Sequence, residues 1–246
     1  MFIGFGTVVN VVAVLVGSGI GLLAGHRMPA RTRSVVTDGL GLVTLLIAAL
    51  SASAVVDPVL SDEIGSSAPV LVVLGSVLIG GIIGSLLRIE HRLESLGAVL
   101  QARLGGQEGG RAQFVEGFVT ASLVFCVGPL TILGSITDGL GGGAEQLLLK
   151  SALDLFAAIA FAAALGVGVM ASALAVGVFQ GALTLLGALL GSFVPEAHVV
   201  ALTATGGVLL VGVALRLLNL RPVAVGDMLP ALLVAPVLVQ VAAALA

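Results

Sequence analysis

Long apolar runs separated by short polar stretches occupy the whole chain. A helix that crosses a lipid bilayer needs about 20 mostly apolar residues. Eight stretches meet this requirement: 3–24, 37–56, 69–88, 114–135, 148–166, 170–192, 199–218 and 225–246. The fifth and sixth come from one run, which we divide at Gly166-Val167-Gly168 because two glycines favour a tight turn; a re-entrant pair is the alternative. The pattern predicts an all-α, polytopic transmembrane helix bundle of about eight spans.

Two parts of the chain resemble each other. Asn10 is followed after seven and eleven residues by Gly17 and Gly21, and Gln180 is followed at the same intervals by Gly187 and Gly191. Spans 1–3 and 6–8 therefore look like copies of one unit. An offset of five spans makes the copies antiparallel, which is the inverted-topology plan of many secondary transporters. The pattern predicts a 3+2+3 arrangement, although glycine-rich apolar helices also resemble one another by chance.

The polar stretch 88–112 is the exception to the apolar pattern. Ile89, Leu93, Leu96 and Leu100 recur at helical spacing among charged residues, which predicts a short amphipathic helix on the cytoplasmic surface. A glycine-rich linker follows at 105–110. We therefore expect a single transmembrane domain over 1–246, divided into repeat one (1–90), the surface helix and linker (89–112), a central hairpin (113–168) and repeat two (169–246).

The composition excludes a soluble protein. Hydrophobic residues make up 59% of the chain and charged residues 9%, whereas soluble domains carry about 25% charged residues. The net charge of −3 gives no basic surface for nucleic acid, and one cysteine with three scattered histidines forms no metal or cofactor motif. We expect a protein of the lipid bilayer that is not an enzyme and has no cofactor and no nucleic-acid partner.

The basic residues indicate the orientation, because Lys and Arg concentrate in cytoplasmic loops. Eight spans bring nine of the ten basic residues to one side, and the opposite loops are acidic. Both termini are then expected outside the cytoplasm. The nine residues on the cytoplasmic side are Arg27, Arg31, Arg33, Arg88, Arg92, Arg103, Arg111, Arg216 and Arg221.

Several motifs from residue 114 onward carry a family resemblance. The motifs are Phe114-Val115-Glu116-Gly117-Phe118-Val119-Thr120-Ala121-Ser122-Leu123, Phe125-Cys126-Val127-Gly128-Pro129, Gly134-Ser135-Ile136-Thr137-Asp138-Gly139-Leu140, Lys150-Ser151-Ala152-Leu153-Asp154, Thr203-Ala204-Thr205-Gly206-Gly207 and Gly226-Asp227-Met228-Leu229-Pro230-Ala231-Leu232-Leu233. They resemble the YqgA-like family of bacterial inner-membrane proteins, a domain of unknown function. The resemblance covers nearly the whole chain and implies a bacterial inner membrane, but no activity.

Four polar residues inside the predicted spans are the main candidates for a pathway. Asn10 and Gln180 occupy matched positions of the two copies, and Lys150 and Asp154 share one helix face at i, i+4. A charge at a helix centre in the bilayer costs at least about 2.5–3.5 kcal/mol. These residues either stabilise the bundle through hydrogen bonds and a local salt bridge or line a transport pathway. Asp154 is the best acidic candidate, and the two amides could serve a cation or an anion.

Span four contributes three further candidates. Glu116 lies one turn from its cytoplasmic end, where it either reaches back to the interface or accepts a proton or cation at an inner mouth. Gly128 and Pro129 interrupt the span near its centre, because proline removes a backbone donor and clashes with the preceding turn. Such breaks at mid-depth often build ion or substrate sites.

The same five residues begin at Thr37 and at Thr137. Asp38 reads as a helix N-cap before span two, and the glycines after Asp138 read as a helix end; broken helices lining the two mouths are the alternative. Thr205 and Asp38 are weaker additions to the pathway, and Asp227 is also assigned to it.

The lead interpretation is a small transporter or channel for an ion or small polar solute, with its pathway at the interface of the inverted repeats. The alternative is a structural or regulatory membrane protein that acts through a partner on its Arg-rich cytoplasmic face. Small-residue stripes at Gly17, Gly21 and Gly25 and at Ser76, Gly80 and Gly84 are typical of close helix packing, and equally of a homodimer seam.

Overall fold

The computed structural model describes residues 2–25, 29–103, 111–126, 129–190 and 195–245. Their secondary structure is helical, with one 3₁₀ turn at Ser53–Val56. In these residues the α-helices are α1 (Phe5–Gly25), α2 (Ala30–Ala52), α3 (Pro58–Ile64), α4 (Ala68–Leu87), α5 (Ile89–Arg103), α6 (Arg111–Cys126), α7 (Pro129–Gly139), α8 (Glu145–Leu165), α9 (Gly168–Leu190), α10 (Glu196–Leu217), α11 (Val225–Met228) and α12 (Ala231–Ala243).

Seven stretches in the described residues are long and apolar enough to cross a membrane. The pair α6 and α7 makes an eighth if it counts as one span, and its two helices are bent by 74° where they meet. The prediction of a membrane helix bundle is confirmed. The division at 166–168 is also confirmed, because α8 and α9 are two full-length helices joined at Gly166, whose φ of +85° favours glycine.

The prediction that Thr37 and Asp38 cap the start of span two is wrong. The helix α2 already begins at Ala30, directly after Pro29. The backbone hydrogen bonds of a helix can continue beyond the apolar run, so the largely polar stretch 31–38 belongs to the helix. The second copy of the motif behaves as predicted, since α7 ends at Gly139 and positive φ angles follow at Gly141 and Gly143.

The chain forms two compact units, and each draws helices from both predicted repeats. Unit one comprises residues 1–42, 93–126 and 130–192, and unit two comprises residues 43–92, 127–129 and 193–246. Thus α1 and α9 belong to unit one, whereas α4 and α12 belong to unit two.

In unit one, α1 packs closely on α8 and runs parallel to it. Gly17, Gly21 and Gly25 lie directly against the α8 backbone at Leu155, Ile159 and Ala163, where a Cβ atom would not fit. The helix α9 contacts α1 in the antiparallel sense, because Thr7 meets Thr184 while Gly19 faces Met170.

The pair α6 and α7 follows α9 along most of its length. Near the start of α9, Gly168 lies against the carbonyl of Phe114 in α6. Near its end, Gly187 lies against the carbonyl of Ile136 in α7, and Gly139 lies against that of Thr184. The two ends of the bent pair therefore reach the two ends of a membrane-length helix.

In unit two, α4 and α12 are antiparallel neighbours. Gly80 lies against Ala231, and Gly84 against the backbone of Asp227. The apolar core of this unit consists of Leu60, Ile64, Val72, Ala197, Ala201, Ala235 and Val239. Both glycine stripes are thus occupied by helices of the same chain, and a homodimer, which remains a proposal, would require another surface.

The helix predicted in 88–112 is present as α5. It follows Arg88, which has a φ of +52°, so the chain turns sharply at the end of α4. Gly97 and Gln101 are buried, and Gly97 faces Phe118 of α6. The glycine-rich linker predicted at 105–110 lies outside the described residues.

Candidate functional site

A buried charge pair lies on α8. Lys150 and Asp154 are one helical turn apart, so both side chains project from the same face, and the Lys150 Nζ forms an ion pair with Asp154 Oδ2. The two side chains are only 7% and 11% exposed. Pairing offsets part of the cost of burying either charge.

Two amides complete this site from neighbouring helices. Asn10 in α1 and Gln180 in α9 are fully buried. The Asn10 Nδ2 donates to Asp154 Oδ2 at 2.9 Å and to Gln180 Oε1 at 3.2 Å. Three helices of unit one therefore meet at one set of polar side chains, which we call the polar cluster: Asn10, Lys150, Asp154 and Gln180.

The polar cluster contains unused hydrogen-bonding groups. Asn10 Oδ1 and Gln180 Nε2 are buried and have no hydrogen-bond partner in the part of the chain that the structure describes. Each amide thus uses one end within the protein and leaves the other end available. A buried polar atom without a partner costs about 1–3 kcal/mol.

One turn away from the polar cluster, the same helices share a second set of contacts. The hydroxyls of Thr7 and Thr184 are 3.2 Å apart. The buried Asp138 of α7 accepts a hydrogen bond from the Gly6 backbone N–H at 3.1 Å. Because the first N–H groups of a helix lack partners within it, Asp138 acts here as an N-terminal cap for α1, and this is its observed structural role.

The other predicted pathway residues are not part of this cluster. Asp38 and Glu116 are exposed, Pro129 begins α7, and Gly128 lies outside the described residues. Thr205 belongs to unit two, is fully buried, and its Oγ1 has no partner among the described residues.

A second polar network in unit two joins the starts of two helices. The Glu90 carboxylate, in the first turn of α5, accepts from the Gly226 N–H of α11 at 2.6 Å. In return, Asp227 Oδ1 of α11 accepts from the Glu90 N–H at 2.8 Å. Each helix start is capped by a carboxylate from the other, and Arg216 forms an ion pair with Glu90. We call Glu90, Arg216 and Asp227 the crossed caps.

The sequence did not point to Glu90 in this role. A glutamate in the first turn of a helix is a recognisable signal, but its partners are 126 and 137 residues away in the chain. The sequence singled out Asp227 for the pathway, and the structure brings it to the crossed caps instead.

The polar cluster combines two opposite charges with two amides. One carboxylate and one ammonium leave the cluster neutral, and the amides add one acceptor and one donor. No group of three or more His, Cys, Asp or Glu side chains in the described ranges could hold a metal ion.

The model of one protein family, described as Protein of unknown function (DUF554), matches residues 5–240. The chain belongs to the DUF554 family. Among its DUF554-like relatives is the uncharacterised membrane protein YdfK of Bacillus subtilis (strain 168), 29% identical over 237 residues that cover 96% of each chain. Another is the uncharacterised protein YqgA of Escherichia coli (strain K12), 29% identical over 232 residues that cover 94% of each chain. No solved structure matches the chain.

Membership of DUF554 confirms the family resemblance of the sequence. The name of the Bacillus relative, together with the apolar helices, supports a multi-pass membrane protein. The DUF554 name carries no activity, so the function has to be argued from the polar cluster.

Proposed function

We propose that this protein is a small membrane transporter or channel that carries an ion or small polar solute through the polar cluster. This proposal rests on two buried amide atoms beside the buried Lys150–Asp154 pair. Asn10 Oδ1 and Gln180 Nε2 have no hydrogen-bond partner among the described residues. Groups that only hold helices together gain most when every polar atom is satisfied. Groups that receive a passing solute must keep some hydrogen-bonding capacity free.

The four residues of the polar cluster differ in how completely they are buried. Lys150 and Asp154 retain slight exposure, whereas Asn10 and Gln180 have none. In the proposed pathway the charge pair is the entrance to the amides. We propose that opening this pair admits the solute to the amides.

Contacts within each unit support the inverted repeat. Asn10 and Gln180, which occupy matched positions of the two copies, bond directly to each other. The matched Gly17 and Gly187 both lie against a backbone carbonyl of the central hairpin, at Leu155 and at Ile136. In addition, a short helix stands between two long ones in both copies, as α2–α3–α4 and as α10–α11–α12.

The eight-span topology is part of the same proposal. Because α6 and α7 together extend along α9, we infer that the bent pair is a broken span and not a re-entrant loop. Eight spans return both termini to one side, and the distribution of Arg residues favours the outside of a bacterial inner membrane for that side.

Flux into sealed liposomes tests the proposal. Purified protein is reconstituted, gradients of Na⁺, K⁺, H⁺ and Cl⁻ and of small polar solutes are imposed in turn, and protein-free liposomes serve as the blank. We expect a selective flux that the double variant Asn10→Leu and Gln180→Leu abolishes while remaining folded and inserted.

A matched variant separates the pathway from helix packing. Thr7→Val with Thr184→Val removes the neighbouring hydrogen bond between the same two helices and should leave the flux near the wild-type level. Equal loss in both variants would assign the effect to packing. If folded protein gives no flux under any of these gradients, the result contradicts transport and favours the alternative, a partner bound on the Arg-rich face.

A further inference from the structure

The nitrogen of one amide occupies the centre of the polar cluster. The Asn10 Nδ2 lies between two oxygens that come from different helices, Asp154 Oδ2 at 2.9 Å and Gln180 Oε1 at 3.2 Å. A third oxygen, Asn10 Oδ1, is bonded to the same carbon as this nitrogen and has no partner among the described residues. Rotation of the amide by 180° exchanges its nitrogen and oxygen, and three oxygens from α1, α8 and α9 then surround one point.

A single side chain neutralises the negative charge of Asp154 in the polar cluster. Lys150 is the only lysine of the chain, and it forms an ion pair with Asp154. The helices α1 and α9, which bring the amides, contain no charged residue. If the ammonium withdraws, the cluster carries one negative charge and oxygen ligands.

We propose that Asp154, Asn10 and Gln180 form a binding site for an alkali cation, and that the Lys150 ammonium takes the place of the cation on Asp154 when no cation is bound. The inference deepens the proposed function, on which its role in transport rests, by naming the class of solute. Binding at the site is measurable without any flux.

The ligands suit a monovalent cation. Carboxylate and amide oxygens are hard ligands, which favour hard cations over transition metals. One carboxylate neutralises one positive charge, whereas a divalent ion would leave a net positive charge buried without a partner, which is costly.

The lysine has a way out of the site. Lys150 is five residues from the start of α8 at Glu145, which is about 7.5 Å along the helix axis. A lysine side chain covers most of this distance, so it can bring its ammonium close to the start of α8 while its stem stays in apolar surroundings. The cation and the ammonium can therefore exchange on Asp154.

Labelling of Lys150 in the wild-type protein tests this exchange. The rate of acylation by an amine-reactive reagent is measured by mass spectrometry at constant pH and ionic strength in NaCl, KCl or choline chloride. We expect NaCl or KCl to raise the Lys150 rate several-fold over choline chloride, because the displaced ammonium becomes accessible. The amino-terminal amine, labelled in the same sample, should not change. Equal Lys150 rates in all three salts would overturn the proposal.

A second experiment measures binding after the lysine is removed. In Lys150→Gln the site lacks its ammonium, so the apparent unfolding midpoint in detergent should rise with NaCl or KCl but not with choline chloride. A cation at about 15 times its dissociation constant shifts folding about 16-fold, or about 1.6 kcal/mol, which for this chain length is about 3–6 °C. The double variant Lys150→Gln with Asp154→Asn should show no such rise.

The remaining outcomes are also decisive. If Lys150→Gln folds in neither NaCl nor KCl while the double variant Lys150→Gln with Asp154→Asn does fold, the result contradicts an exchangeable cation. Stabilisation that follows pH but not the alkali salt would identify a proton site and overturn the proposal. Absence of cation binding together with flux of another solute would leave the transport proposal standing without this inference.

Discussion

Asn10 is the residue on which the polar cluster depends, because its one amide nitrogen joins α8 and α9 to α1. Lys150 and Asp154 depend on each other more than on the rest of the protein. Removing one member of a buried ion pair leaves the other charge buried without a partner. Removing both members removes the ion pair but leaves no buried charge. The two cases can be told apart by stability measurements.

We expect the effect of a substitution at Asp154 on stability to depend strongly on Lys150. Asp154→Asn alone should lower the free energy of unfolding by about 3–5 kcal/mol, measured in choline chloride by titration with a denaturing detergent. The double variant with Lys150→Gln should lose clearly less than the sum of the two single variants. Glu94→Gln, an exposed change on α5, is the control and should have almost no effect. Additive losses would mean that the two charges are not coupled.

The helices are held together mainly by backbone contact at small residues, and the crossed caps add polar contacts at helix starts. Each of these features belongs to a pair of helices and not to a single residue. In a bilayer, close approach of backbones replaces much of the hydrophobic driving force that operates in water.

On α1, two glycines two residues apart should respond in opposite ways to alanine. A Cβ atom at Gly17 would lie 2.5 Å from the carbonyl oxygen of Leu155, whereas at Gly19 the nearest atom, in Met170, is 3.9 Å away. We expect Gly17→Ala to lower the free energy of unfolding by about 1–3 kcal/mol. Gly19→Ala should be neutral or raise it by up to about 1 kcal/mol, since alanine favours helix. Similar values for the two variants would contradict the close contact between α1 and α8.

The crossed caps should behave as one coupled unit. Glu90→Gln and Asp227→Asn should each cost about 0.5–2 kcal/mol, as other cap losses do. In a double-mutant cycle the losses should be non-additive by more than about 0.5 kcal/mol, and Glu94→Gln again serves as the neutral control on α5. Strict additivity would indicate two independent caps.

At the scale of the whole molecule, the proposed topology is decided by the bent pair α6 and α7. A broken span puts Arg92 and Arg221 on the same side of the membrane, whereas a re-entrant loop puts them on opposite sides. The same choice decides whether Ser66 and Glu145 share a side.

Cysteine labelling in intact cells distinguishes the two topologies. The only native cysteine, Cys126, is first replaced by alanine, and single cysteines are introduced at Ser66, Arg92, Glu145 and Arg221, all of them exposed. We expect a membrane-impermeant thiol reagent to label positions 66 and 145 from outside, and positions 92 and 221 only after the membrane is opened. Protection at 145 together with labelling at 221 would contradict the eight-span proposal.

Local patterns predicted most of the helices but few of the contacts. The division between α8 and α9 followed from apolar length and two glycines, which are properties of neighbouring residues. The sequence predicts the start of α2 seven residues too late, because an apolar run ends at the membrane boundary whereas the helix can continue beyond it. The meeting of Asn10 and Gln180 could be anticipated only through the repeat. The bond from Asn10 to Asp154 and the capping by Glu90 had no local signal, since they join residues more than 130 positions apart.

The contact of α1 with α8 also has a consequence for biosynthesis. The 144 residues between Asn10 and Asp154 take about 7–29 s to translate. For most of this interval the first helix is already made, while the helix that will cover its glycines and bind its amide does not yet exist. Newly inserted chains must therefore keep α1 in a waiting state beside lipid or the insertion machinery, and completion of unit one becomes a late event in synthesis.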